Sequence, residues 1–178
     1  MKRYILTIIS CLALAISSYA QEAIPTDSIR VSLLTCGAGS EIYSLFGHTA
    51  IRYEQPARGI DVVFNYGIFN FGAPNFILRF TLGETDYLLG VEEYDRFVRS
   101  YQRMERNVWE QKLNLSKEEK MRLFAQLGEN HRPENREYRY NFFFDNCATR
   151  PRDQIEKATT HRLMYADDMQ AKVQSMSF

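Results

Sequence analysis

Residues 48–69 read HTAIRYEQPARGIDVVFNYGIF: two segments that alternate polar and apolar, His48 to Tyr53 and Ile60 to Phe69, divided by the turn signals Gln55-Pro56 and Arg58-Gly59. Alternation at a period of two gives an extended strand one apolar face, and two such runs around a proline- and glycine-bearing break predict a hairpin. Upstream, Ile29 to Thr35 is β-branched and alternating, and the small residues Cys36 to Ser40 break it into a loop. Downstream, past the breakers Gly72 and Pro74, Asn75 to Leu82 fits either a short apolar helix or a strand, and Asp86 to Val91 fits a strand. Glu92 to Glu105 sets Tyr94, Phe97, Val98, Tyr101 and Met104 at helical spacing, which predicts an amphipathic helix. Asn107 to Leu115 reads as a strand. Ser116 with Glu119 three residues later forms a capping box, predicting a helix through Leu127 that Gly128 ends. A charged loop from Glu129 to Arg136, an aromatic strand-like run from Tyr138 to Phe144 and a polar helix after Pro151 follow.

The amino terminus has a different character. Lys2 and Arg3 precede an apolar run from Ile5 to Ile16 and the small-residue pattern Ser17-Ser18-Tyr19-Ala20, the layout of a secretory leader cut after Ala20. Residues 1–20 are therefore expected to be a signal peptide and residues 21–178 one exported domain. An apolar fraction of 45% suits a packed core. Basic and acidic residues balance at 22 each, so no net field favours nucleic acid. Cys36 and Cys147 remain after leader removal, either paired or with one as a working thiol.

Two short segments carry candidate chemistry, Phe46-Gly47-His48-Thr49-Ala50-Ile51 and Phe144-Asp145-Asn146-Cys147-Ala148-Thr149-Arg150-Pro151. Pro151 cannot sit deep in a helix, so Cys147 belongs in the first turn or just ahead of it, where a helix terminus lowers a thiol pKa and offers backbone donors. His48 opens a strand after Gly47, which lets another element approach closely. Asn65, or alternatively Asp61, on the neighbouring strand would hold the imidazole tautomer. Cys147, His48 and Asn65 are thus the candidate catalytic residues, and Tyr66, Asn146 and Arg150 the candidate substrate-binding ones. Neither a metal site nor a cofactor is expected. The tyrosine and phenylalanine enrichment is more often core than ligand surface, and Arg136, Arg139, Arg150 and Arg152 more often a solvated face, although the same residues also suit a lipid-facing groove whose arginines meet phosphate.

The runs LLTCGAGSEIYSLFGHTAIRY from Leu33, FNYGIF from Phe64 and YNFFFDNCATRPRD from Tyr140 resemble the periplasmic domain of Lnb-type bacterial lipoprotein N-acyltransferases. The order of histidine strand before cysteine helix is also similar to the circularly permuted NlpC/P60 group. The resemblance implies a papain-like α+β fold, an antiparallel sheet packed against helices. It implies that Cys147 takes a fatty acyl chain from a phospholipid as a thioester and passes it to the amine of a diacylated lipoprotein, with His48 as base and then acid. It also implies a periplasmic location at the membrane surface of the inner membrane. Members of the Lnb-type family continue into membrane-embedded segments, whereas this sequence closes on a polar run to Phe178. The rival expectations are a cell-wall peptidase or amidase with the same dyad, and a non-catalytic exported module in which Cys36 and Cys147 are disulfide-linked or merely buried and His48 is a satisfied core residue.

Overall fold

The computed structural model describes residues 29–41, 44–70, 74–75, 78–79 and 86–161. The leader and the junction after Ala20 lie outside them, as does most of the segment from Asn75 to Leu82. The elements run β1 (Arg30–Cys36), β2 (His48–Gln55), β3 (Ile60–Phe69), β4 (Asp86–Glu93), α1 (Tyr94–Arg103), β5 (Val108–Lys112), α2 (Lys117–Asn130), β6 (Glu137–Arg139) and α3 (Thr149–Ala158). The strands form one antiparallel sheet in the order β5-β1-β2-β3-β4-β6. The fold is α+β.

Strand parity divides the sheet into two buried faces. Val31, Ile51, Tyr53, Phe64, Tyr66 and Leu89 pack with Leu123 and Leu127 of α2 and with Ile155 and Ala158 of α3. On the opposite face Leu34, Cys36, Ala50 and Val63 pack against Phe97 and Tyr101 of α1. Burying each such large side chain contributes about 1.5–3 kcal/mol, so the sheet is fixed in register from both sides.

The capping box that opens α2 forms as expected. Glu119 N donates to Ser116 Oγ at 3.2 Å, and Glu119 Oε2 accepts from Ser116 N at 2.8 Å. The other carboxylate oxygen accepts from Thr160 N and Thr160 Oγ1, each at 2.9 Å, which ties the end of α3 to the start of α2. The predicted end of α2 is corrected: the helix runs through Gly128 to Asn130. Gly128 is solvent-facing, where glycine costs only about 1 kcal/mol relative to alanine. The last turn is held by Asn130, whose Nδ2 donates to Tyr66 Oη at 2.9 Å.

The aromatic run from Tyr138 to Phe144 is also corrected. Only Glu137–Arg139 pairs, with β4. Asn141 Oδ1 then accepts from the backbone N–H of Phe143 and of Phe144, each at 3.0 Å, and Asn141 and Asp145 exchange backbone bonds at 2.8 and 3.0 Å. A side-chain acceptor of this kind competes with the sheet ladder and bends the chain into a turn. That turn leaves Phe142, Phe143 and Phe144 exposed.

Candidate active site

His48, Asn65 and Cys36 share a face by parity, since β2 buries Ala50, β3 buries Val63 and β1 buries Leu34 toward α1. All three lie at one end of the sheet, where β1 finishes, β2 begins and β3 nears its close. Gly47 takes φ 77°, and a Cβ there would stand 2.6 Å from the Cys36 carbonyl oxygen, so only glycine allows this close approach. Gly67 sits at a bulge in β3 with φ 131°. A Cβ at that position would meet His48 Cε1 at 3.1 Å, His48 Nδ1 at 3.7 Å and Cys147 Cβ at 3.7 Å. The imidazole and the cysteine, 99 residues apart in sequence, therefore border the same small space.

Cys147 lies just ahead of the Ala148 N-cap of α3, in keeping with the constraint set by Pro151, which occupies the helix's first turn. Asn146 fixes this approach. Its Oδ1 accepts from Ala148 N at 2.8 Å and Thr149 N at 3.0 Å, satisfying donors at the helix start, and its Nδ2 donates to the Phe142 carbonyl at 2.8 Å. The His48 ring is held by a 2.6 Å bond between Nε2 and Asn65 Oδ1. An amide oxygen only accepts, so Nε2 carries the ring proton and Nδ1 keeps the basic lone pair. Asp61 lies elsewhere: its carboxylate is clasped by Arg52 at 2.8 and 2.7 Å.

Burial moves both reactive groups toward neutrality. The His48 pKa is lowered to about 4, chiefly by desolvation, opposed by the Asn65 bond and assisted by the charge of Arg106. The Cys147 thiol is raised by burial, partly offset by the backbone N–H groups of Thr49 and of Cys147 itself. At neutral pH the resting pair is thiol and imidazole, not thiolate and imidazolium. The expectation that a helix terminus would leave the thiol with a lowered pKa is thereby corrected, because desolvation outweighs two backbone donors. Cys36 is a free thiol, as is Cys147, and is buried in the α1 cluster, where desolvation lifts its pKa to about 11.

A cavity of about 710 Å³ opens around these groups. His48, Asn65, Gly67, Asn146 and Cys147 line it, together with Phe46, Ile68, Phe69, Tyr87, Phe97, Tyr101, Met104, Tyr140 and Phe142. Phe46 and Phe142 touch edge to face at the mouth, with centroids 4.9 Å apart, and Phe143 packs on Phe142 at 5.1 Å. Phe46 is 79% and Phe144 81% exposed, so an unusual apolar rim flanks both reactive segments.

Tyr66 and Arg150 do not join this cavity. Tyr66 points to the other face of β3, fully buried and bonded to Asn130. Arg150 forms a bidentate pair with Asp145 at 2.5 and 2.8 Å and stacks over Tyr138 at 3.7 Å. Arg139 and Arg152 are likewise engaged, by Asp86 and Asp153, each at 2.7 Å. Sequence reasoning missed Gly67, Thr49 and Arg106. The isolated glycine inside FNYGIF was the one available signal, since glycine within a strand marks a bulge or a close approach.

Among the described residues no cluster suited to a metal ion occurs, and no helix is long and apolar enough to cross a membrane. A family model described as the Lnb N-terminal periplasmic domain matches residues 15–175. No curated protein and no solved structure matches the chain.

Proposed function

The chain belongs to the Lnb N-terminal periplasmic domain family, and from that premise we propose that it is a periplasmic thiol acyltransferase. Its reaction moves a fatty acyl chain from a phospholipid through Cys147 to the terminal amine of a bacterial lipoprotein. The observation that carries this reading is the convergence on Gly67, where His48 Nδ1 and Cys147 Cβ each stand 3.7 Å from one point. The histidine strand preceding the cysteine helix fits a circularly permuted NlpC/P60, papain-like arrangement. Residues 1–20 serve as a cleaved leader, and residues 21–178 as the catalytic domain.

In the first half-reaction the Cys147 sulfur attacks the ester carbonyl of the phospholipid while its proton passes to His48 Nδ1. Collapse of the tetrahedral species breaks the ester C–O bond, and His48 returns the proton to the departing lysophospholipid oxygen. In the second, the lipoprotein amine attacks the thioester, gives up its proton to His48 and releases the Cys147 sulfur, which regains a proton. Asn65 holds the ring so that Nδ1 is the nitrogen that moves protons. The Thr49 and Cys147 amides, which lower the thiol pKa at rest, can also steady charge developing beside the sulfur.

An acyl substrate is favoured over a peptide by the lining, since Ile68, Phe69, Tyr87, Tyr140 and Phe142 present carbon to the cavity. The free state of both cysteines favours an enzyme over a disulfide-linked module. The test is mass spectrometry of a lipoprotein substrate's amino terminus after incubation with phospholipid. Cys147→Ser and His48→Ala should each abolish acylation while the melting transition is retained. Acyl transfer that survives in either folded variant would overturn the mechanism.

A further inference from the structure

Arg106 lies in the turn between α1 and β5 and borders the same cavity as Cys147. Its Nε donates to the Gly37 carbonyl at 2.9 Å and its guanidinium covers the Tyr101 ring at 4.7 Å, which fix the side chain in place. Its Nη2 is buried without a hydrogen-bond partner. Among the described residues no carboxylate pairs with it, and Glu92, the other formal charge in the cavity lining, makes no ion pair with it. A buried guanidinium donor left unmatched is unfavourable, so a shift of the side chain that brings Nη2 to an acceptor in the cavity is favoured. The charge acts close to the reactive centre, because it helps depress the His48 pKa.

Position along the sheet gives the cation a direction. Arg106 precedes β5 on the β1 side of His48, whereas Phe69, Tyr87 and Tyr140 belong to the β3, β4 and β6 side. His48 stands between Arg106, which rests on Tyr101, and the aromatic side chains of the β3, β4 and β6 side, where Glu92 also borders the cavity. A diacyl phosphodiester has the same polarity, with its ester carbonyl between an acyl chain and an anionic phosphate.

We propose that Arg106 recognises the phosphodiester of the acyl donor, selecting glycerophospholipids over uncharged glycerides and aligning the ester on Cys147. The assignment rests on the acyltransfer reading above. Guanidinium suits the task because two of its N–H groups can engage two phosphate oxygens at once, which an ammonium matches only as a point charge.

The experiment measures acylation of Cys147 in the full chain by intact-protein mass spectrometry. Phosphatidylethanolamine and diacylglycerol with identical chains are presented in the same detergent micelles. Wild type should favour the phospholipid. Arg106→Gln should reduce the ratio of the two rates by roughly 10- to 100-fold, with Arg106→Lys recovering part of it and confirming that loss of charge rather than of packing is responsible. Glycerophosphoethanolamine should slow acylation of wild type. Inhibition by inorganic phosphate alone, without any phospholipid preference, would refute a lipid headgroup as the ligand. An Arg106→Gln protein that keeps the wild-type ratio, or loses both rates in equal measure, would overturn the role of Arg106 while leaving acyl transfer standing. A wild-type protein that takes an acyl group from neither donor would instead sink the acyltransfer reading, and this assignment with it.

Discussion

Gly67→Ala is the most incisive single substitution at this site, because one methyl group would enter the space that the imidazole and the thiol share. The new Cβ would stand 3.1 Å from His48 Cε1, a separation that forces the ring to give by a few tenths of an ångström. The ring cannot give freely, since its Nε2 is held at 2.6 Å by Asn65. Backbone strain adds to the crowding: φ 131° is a conformation that residues with a side chain rarely adopt, costing about 1–3 kcal/mol. For a domain of this size such a loss lowers Tm by roughly 2–12 °C. Misplacement of a reacting group by a fraction of an ångström to one ångström lowers turnover by up to about 100-fold. The expected result is a folded protein with a depressed melting point and Cys147 acylation slowed by one to two orders of magnitude. In an Asn65→Ala background the freed ring can retreat, so the same methyl should slow acylation by a smaller factor. Wild-type acylation by a folded Gly67→Ala protein would refute the claim that His48 and Cys147 work across this space.

The resting thiol should resist alkylation at neutral pH. Burial raises its pKa, so the iodoacetamide rate at Cys147 should climb only above the ordinary thiol range near about 8.5. A plateau reached below pH 7 would mean a pre-formed thiolate and imidazolium, contrary to the His48 pKa of about 4. Asn65→Ala should slow acylation by about 10- to 100-fold, less than loss of His48, since Asn65 orients the base without reacting. Unchanged kinetics there would move the orienting role to another group. Glu119 has its pKa lowered to about 2 by N–H donors from Thr160 and Ser116, so its stabilising contribution is complete above the usual carboxylate pKa and is lost as pH falls from about 4.5 toward 2. Glu119→Gln should flatten Tm against pH across that window, and an unchanged acid-side slope would show that the link between α2 and α3 does not titrate through this residue.

The hairpin from His48 to Phe69, the strand from Ile29 to Thr35, the amphipathic α1 and the capping box of α2 were legible because each is a local pattern. Alternation, helical spacing and a side chain three residues from its partner need no knowledge of the rest of the chain. Where local signals failed, a contact from elsewhere had prevailed. Gly128 did not end α2, because Asn130 reaches across to Tyr66. Tyr66 left the cavity because parity sets it on the face opposite Asn65. Arg150 was lost to Asp145 as an anion binder.

The sequence by itself determined that His48 opens a strand, that Cys147 sits ahead of a helix, and that Asn65 lies on the strand beside His48. These follow from period, proline geometry and hairpin connectivity within short stretches. Only the tertiary structure decided that the two reactive side chains border the same glycine, that their pKa values move toward neutrality, and that Arg106 borders the same cavity with its Nη2 unmatched. Proximity and desolvation arise when distant segments pack together, and no local run of residues encodes them.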